Sequence, residues 1–283
     1  NIIANGFRAA NGVCINPDGS FLVTDQEGHW NPMNRINWVT ANNKFYGNMF
    51  GYNPSKDSSD TGMEPPLVWV EKDLDRSPSE LLWVDSKNWG PLNGSLLSFS
   101  YGYGKVFIVP HEKIGGQFQG GLFELPIPKF STGVMRGRFN PSDGQLYACG
   151  LSAWGSSQPD LGGFYRIRYM GEKSTIPIGL NVKKEGVRLT FSHALSIREV
   201  KNDTSFKIQT WDLNRSRKYG SDHYNTKSLP VTKVEMSADR KELFLTIPGI
   251  KPTWAMEINY QLTGKNGQPI NGKIQNTIYQ LGK

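Results

Sequence analysis

The sequence predicts an all-β protein on three observations. Glycine (31), proline (17) and aromatic residues (12%) are abundant over 283 residues, which suits many short strands joined by tight turns. Short apolar or alternating runs bounded by turn residues recur along the chain. No long stretch carries a convincing period of 3.6 residues.

The first element sets the pattern. Between Phe7 and Val39, a strand at Val13 leads into Asn16-Pro17-Asp18-Gly19 and a second strand from Phe21 to Thr24. Proline presets φ, aspartate bonds its own backbone and glycine takes the left-handed position, so this is a turn with a mechanism. Asp25 to Arg35 follows as a polar loop holding an acid pair, a histidine and a tryptophan. Further strand signals fall at 67–70, 81–84, 95–100, 105–110 and 121–127. The turn recurs as Asn140-Pro141-Ser142-Asp143-Gly144 about 125 residues on, which predicts roughly three repeats of about 40 residues between equivalent turns. Gly163 to Tyr169 alternates like a half-buried strand and closes this part.

From about residue 174 the glycine-rich turns give way to well-spaced alternating strands, at 179–192, 205–213, 231–237, 241–247, 255–262 and 273–281. Six or seven strands in about 110 residues suit an immunoglobulin-like sandwich. Ile176-Pro177-Ile178 reads as the linker, and Asn214 to Leu229, rich in Arg, Tyr and Ser, reads as an insertion looping over the first domain. The division is 1–173 and 174–283.

Charge and composition exclude some classes. Lys and Arg (32) outnumber Asp and Glu (25), but the cations are scattered and form no basic tract, so nucleic acid is not the expected partner. A channel attracting an anionic substrate or acidic partner stays open. No run approaches the roughly 18 apolar residues of a membrane span. Cys14 and Cys149 sit in apolar strand contexts; buried small hydrophobes are favoured over a disulfide. No C-x-x-C-H occurs, so no c-type haem attaches to this chain.

The ordered motifs carry a resemblance. Arg8, Asn11-Gly12-Val13, Pro17-Asp18-Gly19, Asp25-Gln26-Glu27-Gly28-His29 and Arg35-Ile36-Asn37 resemble a run in soluble quinoprotein glucose dehydrogenases and the related aldose sugar and sorbosone dehydrogenases. Tyr46 to Tyr52, Trp89 to Leu97 and Arg136 to Tyr147 continue the series in order. The Asn follows the Arg by three places rather than one, and Gln-Glu-Gly-His replaces the usual Glu-His-Gly. The whole chain is also similar to large secreted planctomycete-type proteins that join such a propeller to an immunoglobulin-like module, often beside a cytochrome c domain.

The resemblance implies the C-terminal three to four blades of a six-bladed β-propeller, followed by the sandwich. It implies that the remaining blades come from elsewhere, because half a ring would expose apolar faces and open edges. It implies a secreted or periplasmic bacterial protein, part of a sugar or polyol dehydrogenase that passes electrons to a cytochrome c. Pyrroloquinoline quinone (PQQ) and calcium are the implied cofactors. The alternative is a non-catalytic propeller module that binds a glycan or a partner protein.

Arg8, Asn11, Asp75 and Arg138 are the candidate cofactor-binding residues. An arginine's planar fork suits quinone carbonyls, and Arg136 and Arg138, two apart, share a strand face. Asp25 and Glu27 are candidate calcium ligands, since calcium takes hard oxygens. His29 is the candidate base, its ordinary pKa lying near neutrality. Each has a plainer reading: a salt-bridged arginine, a solvated polar turn, an Asp75–Arg76 pair. Trp154 is a candidate sugar-stacking residue, and no ligand spacing surrounds His193 or His223.

Overall fold

The computed structural model describes residues 2–40, 43–50, 55–153, 155–171, 174–196 and 205–283. Six strands come first: β1 (Ala4–Asn5), β2 (Val13–Ile15), β3 (Phe21–Asp25), β4 (Asn34–Val39), β5 (Lys44–Phe45) and β6 (Val68–Val70). Strands β2-β3-β4-β6 form an antiparallel meander, with β1 and β5 paired in parallel beside it. The first hairpin turns as its sequence dictates. Gly19 has φ 83°, its N–H donates to the Asn16 carbonyl at 2.9 Å, and Asp18 Oδ1 accepts the Ser20 N–H at 3.0 Å.

The second meander contains β7 (Pro78–Trp83), β8 (Leu96–Ser100), β9 (Lys105–Ile108), β10 (His111–Ile114) and β11 (Gln117–Glu124), with β10 as a hairpin arm on β11. The third is β12 (Gly133–Phe139), β13 (Leu146–Leu151) and β14 (Gly162–Ile167). The recurring Asn-Pro turns are the β2–β3 and β12–β13 hairpins. They therefore lie two sheets apart, not three repeats apart. The chain between β4 and β6 and the added β10 hairpin lengthen each unit beyond the expected 40 residues.

The remaining strands are β15 (Pro177–Lys183), β16 (Gly186–Phe191), β17 (Phe206–Asp212), β18 (Tyr224–Leu229), β19 (Lys233–Met236), β20 (Glu242–Thr246), β21 (Thr253–Thr263) and β22 (Pro269–Ile278). Sheet β15-β16-β20-β19 packs against β18-β17-β21-β22. Ile176 is buried and Pro177 already pairs with Phe191, so the expected linker is the start of a strand. β18 lies inside the expected insertion and pairs with β17.

The second and last groups of strands are not separate sheets. β11 pairs with β22 (Leu122 opposite Gln275), making one nine-stranded sheet: eight strands in the order β18-β17-β21-β22-β11-β9-β8-β7, with β10 beside β11 as the ninth. Period-two alternation divides its middle strands between two cores. Leu96, Phe107, Val109 and Leu122 face Leu22, Ile36, Val68 and Val70 of the first meander. Leu97, Phe99, Val106, Ile108 and Phe123 join a second core with Val134, Leu146 and Ala148 of the third. That core continues unbroken into Leu180, Val187, Leu189, Leu243, Ile258 and Ile274 of the sandwich. Each such side chain contributes about 1.5–3 kcal/mol on burial. Burial on both faces is why 95–100 and 105–110 read as nearly continuous apolar runs.

The outer faces are different. Val13 and Ile15 on β2 are 59% and 65% exposed, and Phe164 on β14 is 73% exposed. Cys14 is half-buried and Cys149 exposed; both are free thiols, so the expected burial does not hold for Cys149. No helix among the described residues is long and apolar enough to cross a membrane.

Candidate functional site

The loops before β2, between β3 and β4, and before β7 meet at one end of the first two meanders, and Asp25 organises them. It ends β3 with no exposed surface. Its Oδ1 accepts backbone N–H groups from Ala9 (2.7 Å), Gln26 (3.0 Å) and Arg8 (3.1 Å). Its Oδ2 accepts Asn31 Nδ2 (3.3 Å) and, from the equally buried Arg35, Nε (3.1 Å) and Nη2 (2.6 Å). Arg35 also donates to the Gly6 and Tyr46 carbonyls and lies over the Trp69 ring. The pair thus fastens the chain before β2 and the chain after β5 to the β3–β4 loop.

This geometry bears on the expected calcium ligands. A metal ligand needs lone pairs pointed at a shared centre. Those of Asp25 are already met by N–H donors, four of which would be orphaned if it turned away. Glu27 has its own place: its N–H donates to Asn34 Oδ1 at 2.8 Å, and burial raises its carboxyl pKa, with Lys72 and Arg8 pulling the other way. Among the described residues no group of three or more His, Cys, Asp or Glu side chains is arranged to hold a metal. The lone pairs of Asp25 are therefore taken by N–H donors rather than turned toward a shared centre.

The four candidate cofactor residues have four different situations. Arg8 is exposed, with its stem over Gly28 and its guanidinium 5.4 Å from the centre of the Tyr219 ring. Asn11 is half-buried, and its N–H donates to the Thr24 carbonyl. Asp75 is sealed from solvent. Its Oδ1 accepts Ser100 Oγ (2.6 Å) and the Ser77 N–H (3.1 Å), its Oδ2 has no partner among the described residues, and burial pushes its pKa up to about 7. Arg76 bonds the Gly102 and Gly155 carbonyls rather than Asp75. Arg138 is paired with Glu80 at 2.8 Å, the structural use of that arginine. Arg8, Asn11 and the outer part of Arg138, whose side chain is 70% exposed, can reach a bound molecule, while Asp75 is sealed from one.

His29 is exposed, and its Nδ1 lies 2.8 Å from the Arg217 carbonyl. Its ring meets Phe50 and Tyr219 edge-on, at centroid distances of 5.6 and 5.7 Å. Tyr219 belongs to a strap, Arg215 to His223, laid across these loops. Trp30 N–H donates to the Ser216 carbonyl, Gly220 N–H to that of Gly28, and Arg215 to those of Gly47, Ser58 and Ser59. His223 stacks on Trp211 and lies 2.5 Å from Glu71, whose pKa is raised by burial against the pull of that histidine. Gly51, Tyr52 and Trp154, which carry two of the sequence expectations, lie outside the described residues.

The result is a surface patch of Arg8, His29, Phe50, Arg217 and Tyr219. Sequence reasoning found Arg8 and His29 but missed Tyr219, Arg217 and Phe50 as their neighbours. The signal was the unusual Arg, Tyr and Ser content of the segment after Asn214. No protein-family model matches the chain, and no curated protein is detectably similar to it.

Proposed function

We propose that the chain is a wedge of three propeller blades joined to an immunoglobulin-like sandwich, and that it acts as a non-catalytic carbohydrate-binding module. The carrying observation is the aromatic and cationic patch. Phe50 and Tyr219 are 58% and 53% exposed, and the guanidinium groups of Arg217 and Arg8 stand 5.9 and 5.4 Å from their respective ring centres. An exposed ring stacks on the apolar face of a sugar, and a guanidinium beside it bonds hydroxyls or a carboxylate. The formal charge of +7 favours acidic sugars. The propeller part of the proposal is supported by successive antiparallel meanders packed face to face, with apolar outer faces left for further blades supplied by a partner.

A glycan array of neutral and acidic sugars tests the function. Saturable binding is expected, weakened about tenfold by Tyr219→Ala, a loss of about 1.4 kcal/mol. Binding that ignores this substitution, or no saturable binding, overturns it.

One observation favours a second reading, a quinoprotein-type dehydrogenase: Arg8 is exposed at the position where the family resemblance puts a quinone-facing arginine. It requires cofactor ligands from outside this set of residues and a separate cytochrome acceptor. No quinone binding and no aldose turnover with added PQQ and calcium would reject it.

A further inference from the structure

The first two meanders each hold four strands in their ladder, but the third holds three, and β14 pairs with β13 on one side and with no other strand among the described residues. An unpaired edge is a template for another strand, and proteins that leave one open usually shield it with charge or brevity. Here the flank carries exposed Leu161, Phe164 and Met170. Beside it lies a cavity of about 640 Å³, against which Trp89, Leu92, Leu125 and Ile127 present an apolar floor. The cavity is thus walled by the end of β14 on one side and by the second meander's far face on the other.

We propose that this is the seat of a fourth strand, contributed by an extended segment of a partner polypeptide that adds to the edge of β14. A small ligand would need only the cavity; the coincidence of cavity and open edge calls for a backbone that bonds β14 while its side chains fill the space. The pleat dictates the partner's pattern. Tyr165 and Ile167 alternate with Phe164, Arg166 and Arg168 on β14 and just beyond it. Alternate residues of the guest strand therefore enter the cavity as apolar side chains, and those between stand beside Arg166 and Arg168. Lys129 also lines the space, and among the described residues no Asp or Glu does. The guest is accordingly a strand alternating apolar and acidic residues, paired by charge across the ladder.

The test uses a fluorescent peptide of about eight residues alternating valine and glutamate, followed by anisotropy and by amide hydrogen exchange. The expected result is saturable binding with slowed exchange at 162–167, lost when central valines are replaced by proline. The R166E/R168E double variant should bind roughly tenfold more weakly. A valine–lysine peptide on the unaltered protein should likewise bind more weakly, and it makes the charge comparison without relying on a folded variant. Binding without protection of β14, equal binding of the proline peptide, equal binding of the lysine peptide, or no saturable binding would each overturn the proposal. Displacement of the peptide by decanoate with β14 still unprotected would make the cavity a small-amphiphile site instead.

Discussion

Asp75→Asn should remove most of a pH dependence that the native fold builds in. Asp75 is fully buried, its carboxyl pKa rises from 3.8 to about 7, and burial is the main cause, opposed by hydrogen bonds from Ser100 and Ser77 and by Lys105. The native state therefore keeps a proton that the unfolded chain gives up near pH 4. Stability is fully present below the unfolded pKa and falls as pH rises toward 7, where the native group also ionises. Every tenfold difference in proton affinity between the folded and unfolded chain is worth about 1.36 kcal/mol, so the whole window amounts to about 4 kcal/mol. Asparagine copies the neutral acid: its Oδ1 still accepts from Ser100 and Ser77, and it has no proton to lose. Urea denaturation of both proteins from pH 4.5 to 8.5 measures the difference. Glu27 and Glu71, whose pKa values are also raised, act in the same direction and cancel in the comparison. The native protein should lose stability relative to the variant by more than about 1 kcal/mol per pH unit over roughly pH 5–6.5, with the difference levelling above about 7. Parallel profiles would refute the reasoning, because they would mean that Asp75 ionises as readily folded as unfolded.

Three other outcomes are expected. Asp25→Ala should cost about 3–5 kcal/mol in chemical denaturation, since it strands the buried Arg35 guanidinium and several backbone N–H groups together. Gly12→Ala should cost about 3 kcal/mol or more, because its Cβ would collide with the Ser79 carbonyl and lie 2.7 Å from Glu80 Cα, both backbone of the adjoining sheet; Gly19→Ala has open space and should cost only the roughly 1–2 kcal/mol of a left-handed residue. Val13→Lys with Ile15→Lys should change the unfolding free energy by less than about 0.5 kcal/mol in chemical denaturation, because both side chains are exposed; a larger loss would mean that they pack in solution.

The division between what the sequence reveals and what it conceals follows the range of the forces involved. The two Asn-Pro turns, the strands at 95–100 and 105–110 and the all-β class are local matters of φ, turn chemistry and period-two burial, and they were legible. The number of sheets between the turns was not, because the β10 hairpin and the chain from 40 to 67 lengthen a repeat without altering its pattern. Asp25 shows the same limit at the site. A carboxylate followed two residues later by another looks like a cation-binding loop. Its real partners are N–H groups seventeen and sixteen residues earlier and a guanidinium ten residues later, and pairing at those separations leaves no spacing rule. Asp75 is subtler. Asp73-Leu74-Asp75-Arg76-Ser77 has the composition of an exposed turn, yet Asn34 bonds the Asp75 carbonyl and Ser100 its carboxyl, and together they draw it under the surface. The patch around Arg8 needed the strap from Arg215 to His223, more than two hundred residues away in the chain. Its content of Arg and Tyr marked it as unusual. The β11–β22 pairing, which joins the sandwich to the second meander as one sheet, together with the strap's own bonds to Gly28, Trp30 and Gly47, brings it over those loops. The aromatic patch is thus a product of the joint between the two halves, and neither half alone would present Arg8 and Tyr219 to the same ligand.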